Sequence, residues 1–265
     1  MTKLKQVVYE SLKYFLFFIL LFLLSVANVS GLHPFAFGML FALVWCNQKI
    51  YVIAPLYVLS GILVDVSLNN LLCLCVTAGV FVLFYLLHLK LKKPLTTLLI
   101  GIYAFLSQFA YLYLNSYNAE SFVSAIICVF IGIVCLYAYL FFMQSLLIRG
   151  LRRRYTLDEI ISAGVLCVAL GVGISCMPDV LGIFSKTILL FLTIFFVWIF
   201  SASTSISFSV LLALGAVIGS QNLSLFLSIT LCSIVCNIAK SNKKIFAVLS
   251  MIFVDLFVNL YFFSD

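Results

Sequence analysis

Arg149-Gly150-Leu151-Arg152-Arg153-Arg154-Tyr155-Thr156-Leu157-Asp158-Glu159 is a hydrophilic interruption between two long blocks of apolar sequence. Four arginines fall within six residues. A single arginine at the centre of a bilayer costs about 3 kcal/mol even on the lenient translocon scale, so this stretch is expected to stay on one side. Thr156, with Glu159 three positions later, predicts a capping box, in which each side chain satisfies a backbone N–H left open at the first helical turn. One helix is therefore expected to end near Arg149 and another to begin near Leu157, with a basic loop at 149–159 between them.

The flanking blocks set the class. Hydrophobic residues make up 66% of the 265 and charged residues 9%, with a mean hydropathy of +1.30. A globular domain of ordinary composition is about half apolar and about a quarter charged. This much apolar surface calls for lipid as the solvent, at roughly 20 apolar residues per crossing. The predicted fold class is all-α, a polytopic transmembrane helical bundle of about 10–11 spans with a cytoplasmic N-terminus, forming a single integral membrane domain over 1–265.

The apolar runs expected to cross are 14–29, 35–45, 50–66, 71–87, 95–114 and 122–148 before the arginine loop. After it come 160–177, 181–200, 206–219, 223–239 and 245–263. A short interfacial helix over 3–13 is expected to lead into the first. The run 14–29 is too long for a typical cleaved signal segment and reads as a retained span. Run 35–45 reads as a thin span or a re-entrant helix, and 206–219 is also short, so that both hint at broken helices.

Charge placement fixes the orientation. When each run is threaded across once, every lysine and arginine of the fifteen falls on one face except Lys186. That is the asymmetry of the positive-inside rule, and it puts Arg149, Arg152, Arg153 and Arg154 in the cytoplasm. The net charge of +7 is therefore expected to meet anionic lipid headgroups, not nucleic acid.

Within the membrane, acids are expensive and often functional. Asp255 lies centrally in the last run and is expected to be neutral and hydrogen-bonded to Asn237, Ser241 or Asn259. Asp65 lies near an outer end and is expected to be solvated. Lys186 is expected to snorkel to the outer surface. Gly215 and Gly219 form a GxxxG face, and Gly171 adds a small residue to the seventh run, so these are the expected helix-packing positions. The nine cysteines show no CxxC pair, and His33 and His88 lack ligand spacing, so neither metal nor cofactor is expected. No phosphate loop, nucleophile elbow or triad spacing is present, and no enzymatic activity is expected.

Several stretches together resemble the N-terminal membrane region of the stage II sporulation protein E family. These are His33-Pro34-Phe35-Ala36-Phe37-Gly38 after an opening helix, and Leu157-Asp158-Glu159-Ile160-Ile161-Ser162 after the basic loop. A small-residue helix bearing Gly215 and Gly219 follows, then a span, a lysine-bearing loop and another apolar helix. The resemblance implies a septal anchor in a Gram-positive bacterial cell membrane, serving localisation and homo-oligomerisation. In that family the membrane region precedes cytoplasmic portions that engage division proteins and a metal-dependent phosphatase. The chain stops where those would begin, so the expectation is the anchor without the enzyme. The alternative reading is a small-solute transporter or its membrane subunit, with Asp255 or Asp65 near the substrate path.

Overall fold

The computed structural model describes residues 3–27, 33–91, 119–149, 155–240 and 244–262, with helical positions at 99, 102 and 106. Those residues form an all-α helical bundle with no strand among them. Five helices carry a stretch long and apolar enough to cross a bilayer, Val8–Val26, Asn70–Lys90, Ile126–Leu147, Leu157–Ser175 and Ala202–Ser220. Five shorter apolar helices accompany them. The chain is a multi-pass membrane protein. The expected run 95–114 lies outside the described residues, apart from isolated positions, as do Arg152, Arg153 and Arg154 of the basic loop.

The chain divides into two compact units, Met1–Met143 and Gln144–Asp265. The first contains α1 (Lys3–Val26), α2 (Pro34–Trp45), α3 (Ile50–Val64), α4 (Leu68–Leu91) and most of α5 (Ala119–Arg149). Helix α2 is apolar all round, and every residue except Phe35 and Trp45 is buried. A helix without a polar face has nowhere to go but the interior. It packs against α1 and α3, and its Gly38 meets α5 so closely that an added Cβ would lie 2.9 Å from Cys135 Cβ and 3.0 Å from the Gly132 carbonyl oxygen. Phe41 meets Phe37 of its own helix edge to face and Phe81 of α4 at a tilt, at 4.5 and 4.0 Å between ring centroids. Twelve residues rise about 18 Å, against a hydrocarbon core of about 30 Å. Helix α2 is thus the buried centre of its unit and too short to cross alone.

The second unit holds α6 (Leu157–Ser175), the single turn α7 (Asp179–Gly182), α8 (Ser185–Ile199), α9 (Ala202–Ser220), α10 (Leu223–Ala239) and α11 (Lys244–Phe262). Helix α9 is the hub, packing on α6, α8 and α10, and α11 lies against α10. Val197, Cys232, Cys236 and Met251 form an apolar core between α8, α10 and α11.

Three expected boundaries change. The interfacial helix and first span are one continuous helix of 24 residues, because no Pro or Gly between Lys3 and Val26 breaks the hydrogen-bond ladder. The short run 206–219 extends backwards through its serines to 19 residues. Ser205, Ser207 and Ser209 donate to the carbonyls of Ala202, Ser203 and Ser205, so their hydroxyls are satisfied without leaving the helix. Conversely, the run 181–200 is divided. Pro178 starts a single turn that ends at Gly182, and α8 proper begins at Ser185.

The capping box forms as the spacing predicts. Thr156 Oγ1 accepts from the Glu159 N–H, and Glu159 Oε2 accepts from the Thr156 N–H at 2.9 Å. Replacing Thr156 by Ala should lower the stability of the second unit by about 1 kcal/mol. Thr156→Ser should restore it in the same thermal unfolding measurement.

Candidate functional site

The second unit has four polar side chains converging from three apolar helices. Lys186 stands in the first turn of α8, Ser228 near the start of α10, and Asp255 with Asn259 one turn apart on the same face of α11. Lys186 Nζ reaches the Asp255 carboxylate at 2.8 Å and donates to Asn259 Oδ1 at 2.9 Å. Ser228 Oγ donates to Asp255 Oδ1, and Asn259 Nδ2 donates to Oδ2 at 3.3 Å. Both carboxylate oxygens thereby hold a proton donor.

This arrangement corrects two expectations. Asp255 is hydrogen-bonded to Asn259, one of the three partners the sequence offered (Ser241 lies outside the described residues), and it also has a cationic partner, Lys186, that the sequence reading did not supply. Lys186 does not reach outward alone; it turns inward to the acid. The side chains keep 30% and 21% exposure respectively, so the pair is enclosed by the helices without being sealed. A cation in the first turn of a helix is opposed by the helix dipole, and the carboxylate offsets that. The missed signal was available. Lys186 is the one basic residue outside the clusters that separate the apolar runs, and Asp255 is the one acid central in a run.

A second polar seam joins α9 to α10, where Asn237 Nδ2 donates to Ser205 Oγ at 3.0 Å and to the Ser233 carbonyl at 2.9 Å. At the far end of α10, Lys240 Nζ donates to the Val197 carbonyl. That oxygen is among the last four of α8 and has no partner within its own helix, so Lys240 both caps and charge-complements that terminus.

The glycines set the distance between α6 and α9. A Cβ on Gly171 would lie 2.2 Å from the Leu212 carbonyl oxygen, and one on Gly215 would lie 2.1 Å from that of Val168. Gly219 faces Ser175 Oγ at 2.1 Å and the Val172 carbonyl at 2.9 Å by the same construction. All three packing glycines therefore act within this chain, on one helix pair.

In the first unit, Asp65 is exposed and accepts from the backbone N–H and hydroxyl of Ser67 at 3.0 and 2.9 Å. Near it, Asn70 and His33 are buried among α1, α3 and α4, and Ser25 and Ser60 share a hydrogen bond of 3.1 Å. The opposite end of this unit carries Lys49, 3.9 Å from Glu10, and Lys13 over the ring of Tyr14 at 4.8 Å. Lys49 is exposed, and its ammonium is held above its ordinary range, chiefly by Glu10. An exposed pair of that length contributes little to stability. The first unit is thus polar at both ends and apolar between them. Arg149 ends α5, and its side chain lies outside the described residues.

Comparison with family models, with curated proteins and with solved structures gives no match for this chain.

Proposed function

We propose that the chain is a non-catalytic membrane scaffold, whose bundle localises and assembles other components at a bacterial membrane. The observation that carries this reading is the self-contained bonding of Asp255. Lys186, Ser228 and Asn259 occupy both of its oxygens from inside the same bundle. A carboxylate engaged by three donors of its own bundle ties α8, α10 and α11 together, which is a structural use of an intramembrane acid. The glycine-tight pairing of α6 and α9 adds a rigid frame beside it.

Placement follows from charge. The basic clusters, with Arg149, Arg152, Arg153 and Arg154, face the cytoplasm by the positive-inside rule, where they meet anionic headgroups and acidic partner surfaces. The septal assignment, and with it the Gram-positive origin and the division proteins as partners, rests on the resemblance of His33–Gly38 and Leu157–Ser162 to the sporulation family. A fluorescent fusion expressed in a sporulating Gram-positive cell should concentrate at the division septum. Even labelling of the whole membrane would overturn the septal assignment.

A small-solute transporter is the second reading, favoured by the residual exposure of Lys186 and Asp255. The Lys186→Met, Asp255→Leu double variant separates the two readings. A scaffold carrying it keeps the localisation of the parent chain, whereas a transporter loses the charged groups on its path.

A further inference from the structure

His33 lies outside the site described above. It sits buried just before α2, with each ring nitrogen against an oxygen. Nδ1 is 2.6 Å from the backbone carbonyl of Ser25 in α1, and Nε2 is 3.2 Å from Oδ1 of Asn70 in α4. A carbonyl oxygen only accepts, and a neutral imidazole has one proton to give. The Asn70 amide is not free to turn round. Its Nδ2 donates to the backbone carbonyls of Gly61 at 3.1 Å and Asp65 at 2.8 Å. Reversing it would offer Nε2 a donor but would set Oδ1 against those two carbonyls, exchanging one pair of opposed acceptors for two. The shorter contact takes the single proton. The neutral ring therefore donates to Ser25 and turns a bare nitrogen toward Asn70.

We propose that His33 is a proton-operated latch between α1 and α4. Neutral, it holds only Ser25; with a second ring proton it also closes the bond to Asn70, joining α1, the start of α2 and α4 at this end of the unit. Asp65, at the end of α3, is the charged side chain whose field favours the imidazolium. Among the described residues, the other titratable groups on the surrounding turns are Tyr57 of α3 and Cys73 of α4, with Cys128 and Cys135 of α5, which packs on the start of α2 at Gly132. All of these are uncharged at neutral pH.

Burial works against the second proton and holds the His33 midpoint below the ordinary 6.5, while Ser25, Asn70 and Asp65 pull it part of the way back. The folded value is thus lower than the unfolded one. Stability is full above pH 6.5, falls as the pH drops toward the folded midpoint, and levels below it. The latch closes on the acid side of the ordinary histidine range.

The full chain has two histidines, His33 and His88, so ¹⁵N-histidine labelling in detergent micelles yields two ring titrations, assigned with His88→Gln. At neutral pH the His33 ring should be the Nδ1–H tautomer. On acidification it should gain Nε2–H with the same midpoint as a shift of the Asn70 side-chain amide. Asn70→Leu should lower that midpoint and Asn70→Asp should raise it. Asp65→Asn, at an exposed position, should lower it by a smaller amount and serves where the Asn70 variants do not fold. His33→Asn, which keeps a donor to Ser25, should flatten the acid limb of the stability profile. An Nε2–H tautomer at neutral pH, or a midpoint indifferent to Asn70 and Asp65 alike, would overturn the latch.

Discussion

Replacing Lys186 by Met alone should destabilise the second unit by about 3 kcal/mol, and replacing Asp255 by Leu in the same chain should recover most of that loss. The reason lies in what each variant leaves behind. Without Lys186, the Asp255 carboxylate keeps only Ser228 and Asn259, in a helix made mostly of Leu, Phe, Val and Ile. An unpaired acid near the middle of a span costs about 2.5–3.5 kcal/mol, and taking up a proton limits the cost to that order. With Asp255 also gone, the site becomes apolar on both sides, and nothing charged remains to be solvated.

The two single variants should not be equal. Lys186 stands in the first turn of α8, and its long side chain can lift its ammonium toward the headgroups once the acid is removed. Asp255→Leu should therefore cost less than Lys186→Met. Reversible unfolding of the purified chain in mixed micelles, read as a double-mutant cycle, gives the coupling directly. Additive single effects would mean that the 2.8 Å contact carries no energy of its own.

What the sequence revealed and what it hid divide along a physical line. Features set by neighbours in the chain were legible. The capping box at Thr156 and Glu159 depends on three consecutive peptide units, and apolar runs announce helices wherever they are long enough. The run 206–219 was read too short because serines preceding it look like a polar connection, whereas in a helix a serine hydroxyl returns to the carbonyl three or four residues back. The buried course of α2 follows from its lack of a polar face, yet which helices enclose it depends on contacts some hundred residues away in α5. Lys186 and Asp255 lie about seventy residues apart, each explicable alone as a snorkelling cation and a neutral acid. Only the packing of α8 on α10 and of α10 on α11 brings them to one point. His33 was legible as a histidine at a boundary between runs, but the two acceptors that frame it come from α1 and α4, which no local spacing reports.

Gly215→Ala should cost about 3 kcal/mol, although alanine is the better helix former by about 1 kcal/mol. The new methyl would lie 2.1 Å from the Val168 carbonyl oxygen, and its other close neighbours are also backbone atoms of that residue. Backbone cannot rotate aside as a side chain can, so α6 and α9 must part. Parting them forfeits van der Waals contact along the whole interface, and in lipid no hydrophobic force draws the helices back together. Gly171→Ala meets the Leu212 carbonyl at 2.2 Å and should cost about as much. Because one separation relieves both clashes, the Gly171→Ala, Gly215→Ala double variant should cost little more than either single one. Gly219→Ala provides the contrast. Its nearest obstacle is Ser175 Oγ, with the Val172 carbonyl farther off at 2.9 Å, and a hydroxyl can change rotamer. Its cost should be nearer 1 kcal/mol, part of it recovered by adding Ser175→Ala. Equal losses at positions 215 and 219, or full additivity at 171 and 215, would mean that the two helices do not meet backbone to backbone.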